Sequence, residues 1–129
     1  MKKVTGIGGV FFKCKDAQKT KEWYNKHLGM DAGDYGAVFK WRDVDDKEKI
    51  NTTSWSTMKD TTKYFDPSES KFMINYRVEN LEELLNLLKS EGVDQVGNME
   101  VFDYGKFAWI LDPEGNKIEL WEPVDKKLL

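Results

Sequence analysis

The sequence has few of the side chains that most often build catalytic or metal centres. It contains one cysteine and one histidine in 129 residues. A single cysteine excludes an internal disulfide, and no histidine lies near Cys14 in the sequence, so we interpret it as a small strand residue rather than a nucleophile. The absence of disulfides fits a reducing compartment, and we expect a cytoplasmic protein. His27 falls in the last turn of a predicted helix, which favours a solvated side chain.

The chain also lacks a long apolar run and a strong excess of charge. No stretch reaches the roughly 18 apolar residues of a membrane span, and the first residues lack the apolar segment of a signal peptide. The formal net charge is −3 and the pI is near 5.3, which argues against nucleic acid or an anionic membrane as a partner. A hydrophobic content of 40% predicts one globular domain over residues 1–129.

The two halves of the chain share one pattern of predicted strands and helices. Each half of the chain opens with a strand, and each strand leads into a helix with its own N-cap, Asp16 in one half and Asn80 in the other. A glycine follows each helix, Gly29 and Gly92. The pattern predicts an α+β fold of two β-α-β-β-β modules, at about 1–57 and 71–129. The strands expected after the helices are 37–42 and 50–57, with a short piece near 30–32, and then 95–102, 105–111 and 117–122.

The segment 58–70 joins the two modules and leaves two interpretations open. It contains Tyr64 and Phe65, followed by Asp66 and Pro67. Such a loop could cover a binding site, or it could be a plain connection whose aromatic rings pack on the sheet.

The last quarter of the chain predicts a β-hairpin. A turn cluster that includes Pro113 and Gly115 separates two strand-like segments. Period-2 alternation on the second strand puts Lys117, Glu119 and Trp121 on one face and apolar side chains on the other. A polar and aromatic second face indicates a sheet that lines a cleft.

Two motifs identify a family resemblance. The strand-Asp-helix pattern over Val10–Met30, with Trp-Tyr and Leu-Gly in its helix, and the run from Asp112 to Glu122 resemble the vicinal oxygen chelate superfamily. This superfamily includes glyoxalase I, bleomycin-resistance proteins and extradiol dioxygenases. The resemblance implies two modules in an open, curved, mixed sheet around a cleft, with helices on the outer face and pairing as a homodimer. In the family's enzymes a divalent metal in the cleft chelates vicinal substrate oxygens.

The metal ligands implied by the resemblance are mostly missing. The position on the first strand, counted back from Asp16, falls at Gly9, and its counterpart in the second module falls at Met73. Neither glycine nor a thioether is a good ligand for such a metal. The last strand of the first module has no Glu or His, so Glu119 alone matches. We therefore expect no metal and no cofactor.

Alternation from Gly9 predicts which side chains line the cleft. The expected ligand-binding residues are Phe11, Lys13, Trp55, Met73, Asn75, Arg77 and Trp121. Lys13 and Arg77 would attract an anionic group, or else simply extend into water. Glu119 would bind the ligand or act as a catalytic carboxylate, or else pair with Arg77 or Lys117.

These features favour a metal-free protein that binds a small, partly aromatic molecule in an aromatic-lined cleft. The alternative is an enzyme, a lyase, isomerase or hydrolase acting on a small carbonyl compound, with Glu119 as base or metal ligand. A glyoxalase whose ligands come from unexpected positions and a non-enzymatic interaction module are the remaining hypotheses.

Overall fold

The computed structural model describes residues 3–129; Met1 and Lys2, the start of the predicted domain, lie outside the described residues. The structure has two α-helices, α1 (Ala17–Leu28) and α2 (Leu81–Ser90), and one 3₁₀ turn (Asp125–Lys127). The strands are β1 (Val4–Cys14), β2 (Ala37–Arg42), β3 (Ile50–Lys59), β4 (Phe72–Val78), β5 (Glu100–Phe102), β6 (Gly105–Leu111) and β7 (Lys117–Pro123).

All of these strands form one open mixed sheet in the order β2-β3-β1-β4-β7-β6-β5. The first strand of each module pairs in parallel with the last strand of the same module, β1 with β3 and β4 with β7. The two modules meet where β1 and β4 pair antiparallel. The predicted α+β architecture is therefore confirmed, and both modules contribute to one continuous sheet.

Within the described residues, the two modules differ in the number of strands that follow the helix. The second follows its helix with β5, β6 and β7, whereas the first has only β2 and β3 after α1. No strand forms at 30–32, where a short piece was expected, and just after it Gly33 and Gly36 form an isolated bridge that closes a tight turn. Gly36 has a φ of 93°, which a residue without a side chain adopts most easily.

Local signals in the sequence explain both helices. The Asp16 side chain accepts a hydrogen bond from the backbone N–H of Lys19 at 3.0 Å, and the Asn80 side chain accepts one from Glu83 at 3.1 Å. These bonds satisfy N–H groups that have no partner within the helix. Gly29 ends α1 in the left-handed conformation, with a φ of 60°.

Both helices pack on the same, outer face of the sheet. Leu81 and Leu84 of α2 pack in a buried cluster with Ala108 and Leu120 of the sheet. Tyr24 of α1 packs against Phe12 and Trp55 of β1 and β3. The alternation predicted for β7 is confirmed, because Leu120 points to this core while Glu119 lines the opposite, concave face.

The loop between the modules covers part of the concave face. Phe65 is fully buried there and forms a second core cluster with Met73 and Trp109. We call residues 60–71 the connecting loop. Its position on the sheet fixes which parts of the concave face remain open.

Candidate functional site

A row of residues crosses the centre of the concave face. In the strand register, Gly9 lies opposite Ser54 on one side and Asn75 on the other, and Asn75 lies opposite Glu119. The pairing between β1 and β4 is irregular near Ile7 and Gly9. The position equivalent to Gly9 in the second module is therefore Asn75, and the expectation of Met73 at that position is corrected.

Glu119 is the centre of this row and is only 3% exposed. Asn75 Nδ2 donates a hydrogen bond to Oε1 at 2.6 Å, and Trp109 Nε1 donates one to Oε2 at 2.9 Å. The hydroxyl of Tyr64 also donates to Oε2. All of these donors are neutral, and they suit a carboxylate, which can only accept. Glu119 forms no hydrogen bond or ion pair with Arg77 or Lys117, which bond instead to Asp125 and to the backbone of Tyr64.

Tyr64 reaches Glu119 from the connecting loop. Burial raises the pKa of the Tyr64 phenol, and the nearby negative charge of Glu119 raises it further. The phenol therefore stays protonated and remains a donor. Lys117 supports the loop from below, because its Nζ donates to the backbone oxygen of Tyr64 at 2.7 Å.

Asn75 is held by the same arrangement but keeps one free acceptor. Its Oδ1 is buried and is the one such side-chain atom in residues 3–129 without a hydrogen-bond partner. A Cβ on Gly8 would lie 2.1 Å from this oxygen and 2.9 Å from the Trp121 ring. Position 8 must therefore be glycine for Asn75 to lie over β1 in this way.

A cleft of about 270 Å³ opens beside this row. Among the predicted site residues, Phe11, Asn75, Glu119 and Trp121 line it. The other residues of its wall include Ser54, Tyr35, Tyr104, Phe107 and Leu128. The rings of Phe107 and Trp121 stack, with centroids 5.8 Å apart and an interplanar angle of 12°. The structure thus gives a largely aromatic cleft whose walls come from both modules of one chain.

Arg77 lies beneath Trp121 and is buried, with 2% exposure. It forms a two-pronged ion pair with Asp125 at 2.7 and 2.6 Å, and its guanidinium lies 5.3 Å from the centre of the Trp121 ring. Burial acts to raise the pKa of Asp125, but hydrogen bonds from Arg77 and Thr52 outweigh it and leave that pKa below its usual value. Arg77 therefore neither extends into water nor lines the cleft, because Asp125 already satisfies it.

Lys13 and Met73 do not line the cleft, and both lie against Phe65 of the connecting loop. The Lys13 Nζ lies 5.3 Å from the centre of the Phe65 ring, and Met73 is 1% exposed beneath the same ring. Met73 is thus part of the core beneath the loop, and the ammonium of Lys13 faces the Phe65 ring.

Trp55 lies on the other side of the sheet. Its neighbour Ser54 lines the cleft, and alternation turns Trp55 toward α1, where its ring centroid is 4.8 Å from that of Tyr24. The structure does not bring Trp55 to the cleft, which corrects the expectation that it would contact a ligand there. His27 is exposed at the end of α1 and is also remote from the site.

Comparison with known proteins gives a family for this arrangement. The sequence profile of the Glyoxalase/Bleomycin resistance protein/Dioxygenase superfamily matches residues 6–120, which is most of the chain. The chain belongs to this superfamily. None of the curated protein sequences that were compared matches it.

Solved structures share the superfamily fold at low sequence identity. Methylmalonyl-CoA epimerase from Mycobacterium tuberculosis is 23% identical, with a TM-score of 0.59 over 97% of this chain and 92% of that one. A Streptomyces coelicolor methylmalonyl-CoA epimerase variant in complex with 2-nitronate-propionyl-CoA is 15% identical, with a TM-score of 0.67 over 94% and 99%. NAD-dependent benzaldehyde dehydrogenase from Legionella pneumophila is 12% identical, with a TM-score of 0.56 over 89% and 97%. At these identities the likeness concerns the fold.

The residues of this superfamily member do not fit the divalent metal of its enzymes. The central row offers Gly9, Ser54, Asn75 and Glu119, and thus a single carboxylate. Within residues 3–129, no group of three or more His, Cys, Asp or Glu side chains is placed to hold a metal ion. Both carboxylate oxygens of Glu119 already accept hydrogen bonds, from Asn75, Tyr64 and Trp109. Such metals need several imidazole or carboxylate ligands, so the donor set is unsuited to them.

Sequence reasoning missed several residues of this site. The sequence places Tyr64 only in the segment between the modules, and it gives no signal for Asp125, whose partner Arg77 lies far away in the sequence. Tyr104 and Phe107 carried a weaker signal. Alternation on β6 indicates only that one of two sets, Phe107 with Trp109 or Ala108 with Ile110, belongs to the core.

Proposed function

We propose that this superfamily member binds a small, partly aromatic molecule in the cleft without a metal ion, and so sequesters it. One observation carries the proposal. Glu119, the sole residue that matches a metal ligand, is held by Asn75, Tyr64 and Trp109, and aromatic rings form the open wall beside it. A concave, mostly apolar site with a few fixed polar groups is typical of small-molecule binding.

The size and shape of the cleft support a planar ligand. Its volume of about 270 Å³ suits a compound of two or three fused rings. Phe107, which is partly exposed and stacks on the buried Trp121, offers a flat surface on one side. Tyr35, 97% exposed on the turn between Gly33 and Gly36, is positioned to cover the other side.

The test is a titration with neutral acridine, followed by tryptophan fluorescence and calorimetry. We expect saturable binding of one acridine per chain that is unchanged by a chelator. Tyr35→Ala should weaken it about three- to tenfold, since one aromatic contact is lost. Trp23→Ala is the matched control, because Trp23 is a half-exposed aromatic residue on α1. No saturable binding, or equal weakening in both variants, would contradict the proposal.

A second candidate function is acid–base catalysis on a small carbonyl compound. It is favoured by the geometry of Glu119, a carboxylate that lines the cleft and shares a hydrogen bond with Tyr64. If Tyr64 moved away, Oε2 could accept a proton from a bound carbon acid. The structural likeness to methylmalonyl-CoA epimerases is compatible with this chemistry.

Exchange of the substrate proton with deuterium tests the catalytic alternative. Methylmalonyl-CoA and a neutral β-keto ester are incubated with the protein in D₂O and followed by NMR. Catalysis by Glu119 predicts deuterium incorporation that is lost in Glu119→Gln. Incorporation no faster than in buffer for both compounds would exclude this role and leave binding as the function.

A further inference from the structure

We infer that the cleft selects a planar aromatic ligand that donates hydrogen bonds and carries no negative charge, such as an aromatic amine or its cation. This inference rests on the proposed function and narrows it to a ligand class. It follows from an inventory of which polar groups at the cleft are already paired and which are free.

The hydrogen-bond donors around the cleft floor are already used. Asn75 Nδ2, Trp109 Nε1 and the Tyr64 hydroxyl all donate to Glu119. Trp121 Nε1 donates to the backbone oxygen of Tyr104 at 3.0 Å. At the cleft floor, a ligand that brings only acceptors would have to compete with these bonds, and each bond lost would leave a buried group unpaired.

The buried group left over is an acceptor, whereas the hydroxyls of Ser54, Tyr35 and Tyr104 in the wall can donate or accept. Asn75 Oδ1 is buried without a partner at the edge of the cleft. The amide cannot simply turn over, because that would place its oxygen against the Glu119 carboxylate. Glu119 itself adds a negative charge at the cleft wall. A buried acceptor and a carboxylate are complemented by N–H groups, above all by charged ones.

The positive charges nearby do not offset this preference. In the described part of the chain no Lys or Arg lines the cleft. Arg77, the nearest cation beneath its wall, is neutralised by Asp125. Lys13 lies over Phe65, and Lys117 is bonded to the backbone of the connecting loop. An anionic ligand would therefore lose its hydration without gaining an ion pair.

The aromatic walls act in the same direction. The face of Phe107 attracts cations through the negative charge of its π system. Trp121 is 2% exposed, with Arg77 over its ring and Phe107 stacked on it, so the partly exposed ring of Phe107 is the surface left for the ligand. A cationic fused ring would gain stacking, charge and hydrogen bonds together.

A matched series of probes tests the inference. Acridine, 9-aminoacridine as its cation and acridine-9-carboxylate share one ring system and differ in charge and donors. We expect 9-aminoacridine to bind about tenfold or more tightly than acridine-9-carboxylate, which is the size expected for one charge-assisted hydrogen bond. Glu119→Gln should reduce this ratio, and thermal unfolding of the variant checks that it remains folded.

A second variant changes the ratio without touching the cleft floor. Asp125→Asn leaves the charge of Arg77 uncompensated beneath Trp121, so binding of the carboxylate should improve several-fold. Glu114→Gln, which removes an exposed charge in the β6–β7 turn, is the control and should change nothing.

The outcomes separate the two proposals. If acridine binds but the cation and the carboxylate bind equally well, the inference on ligand class is overturned and the binding function stands. If the carboxylate binds better, the inference is overturned as well. If none of the three binds, the proposed function fails together with the inference.

Discussion

At the scale of single residues, Glu119 joins three neighbouring side chains through its carboxylate. Its three neutral donors stabilise the carboxylate as an acceptor and fix it in the wall of the cleft. The same bonds hold Asn75, Trp109 and Tyr64 in place. Glu119 thus organises the floor of the cleft.

Replacing Glu119 by Gln should destabilise the protein by about 2 kcal/mol, because the amide NH₂ would face groups that are themselves donors. The free energy of unfolding in urea measures this. Glu114→Gln, at an exposed position, should change it by less than about 0.5 kcal/mol. Equal values for the two variants would contradict the role given to Glu119.

The raised pKa of Tyr64 predicts that the free energy of unfolding falls at alkaline pH. Its pKa is raised in the folded state, so the unfolded chain releases this proton first. The stability contributed by Tyr64 is therefore complete below a pH of about 10 and is lost as the pH rises above it. Tyr64→Phe should lose less stability than the unmodified protein between neutral pH and pH values above about 10. Urea unfolding at a series of pH values measures the difference, and parallel curves would refute the assignment.

At the scale of elements, the connecting loop and the 3₁₀ turn shape the cleft from outside the sheet. The loop buries Phe65 on the concave face and positions Tyr64. The turn places Asp125 against Arg77 and Leu128 in the cleft wall. Both depend on a few contacts, so each can be tested by one substitution.

Phe65→Ala should cost about 3 to 4 kcal/mol, because it leaves a cavity under the loop. It should also release Tyr64 from Glu119 and increase amide exchange in the connecting loop. Phe72→Ala is the matched control, since Phe72 is 57% exposed. Its cost should stay below about 1 kcal/mol. A similar cost for both substitutions would mean that the loop is not anchored through Phe65.

The Arg77–Asp125 pair predicts the effect of acid. Because the folded-state pKa of Asp125 is lowered, its contribution is complete above the unfolded-state pKa of about 4 and is lost as the pH falls below it. Asp125→Asn should therefore cost about 3 kcal/mol at neutral pH and progressively less in acid. Unfolding measured from pH about 7 down to about 3 tests this. A cost that does not shrink in acid would contradict it.

At the scale of the whole molecule, one chain is sufficient to form the cleft. Ser54 comes from the first module, and Asn75 and Glu119 come from the second. Neither helix in residues 3–129 is long and apolar enough to span a membrane.

The homodimer remains a prediction, and sedimentation of the 15.0 kDa chain decides it.

The absence of a suitable donor set predicts that metals leave the molecule unchanged. Excess Ni²⁺, Co²⁺ or Mn²⁺ should not raise the melting temperature, since a ligand stabilises only the state that binds it. Differential scanning calorimetry with and without a chelator measures this. A concentration-dependent rise that disappears in Glu119→Gln would restore the metal-dependent glyoxalase hypothesis.

Much of the fold could be predicted because its signals are local. The caps at Asp16 and Asn80, the turn at Gly115 and the alternation on β7 depend on neighbours in the chain, and the structure follows them. The same alternation placed Glu119 and Trp121 on the cleft side. Family motifs then gave the arrangement of the modules.

The tertiary structure alone decided which side chains are free to act. The irregular pairing at Gly9 put Asn75 rather than Met73 into the central row, and strand pairing turned Trp55 toward α1. Asp125 forms an ion pair with Arg77, which keeps Arg77 out of the cleft. Phe65 of the connecting loop packs on Met73 and lies against Lys13. These outcomes depend on contacts between residues far apart in the chain, because burial and pairing are set by the packed sheet, whereas caps, turns and strand faces are set by adjacent residues.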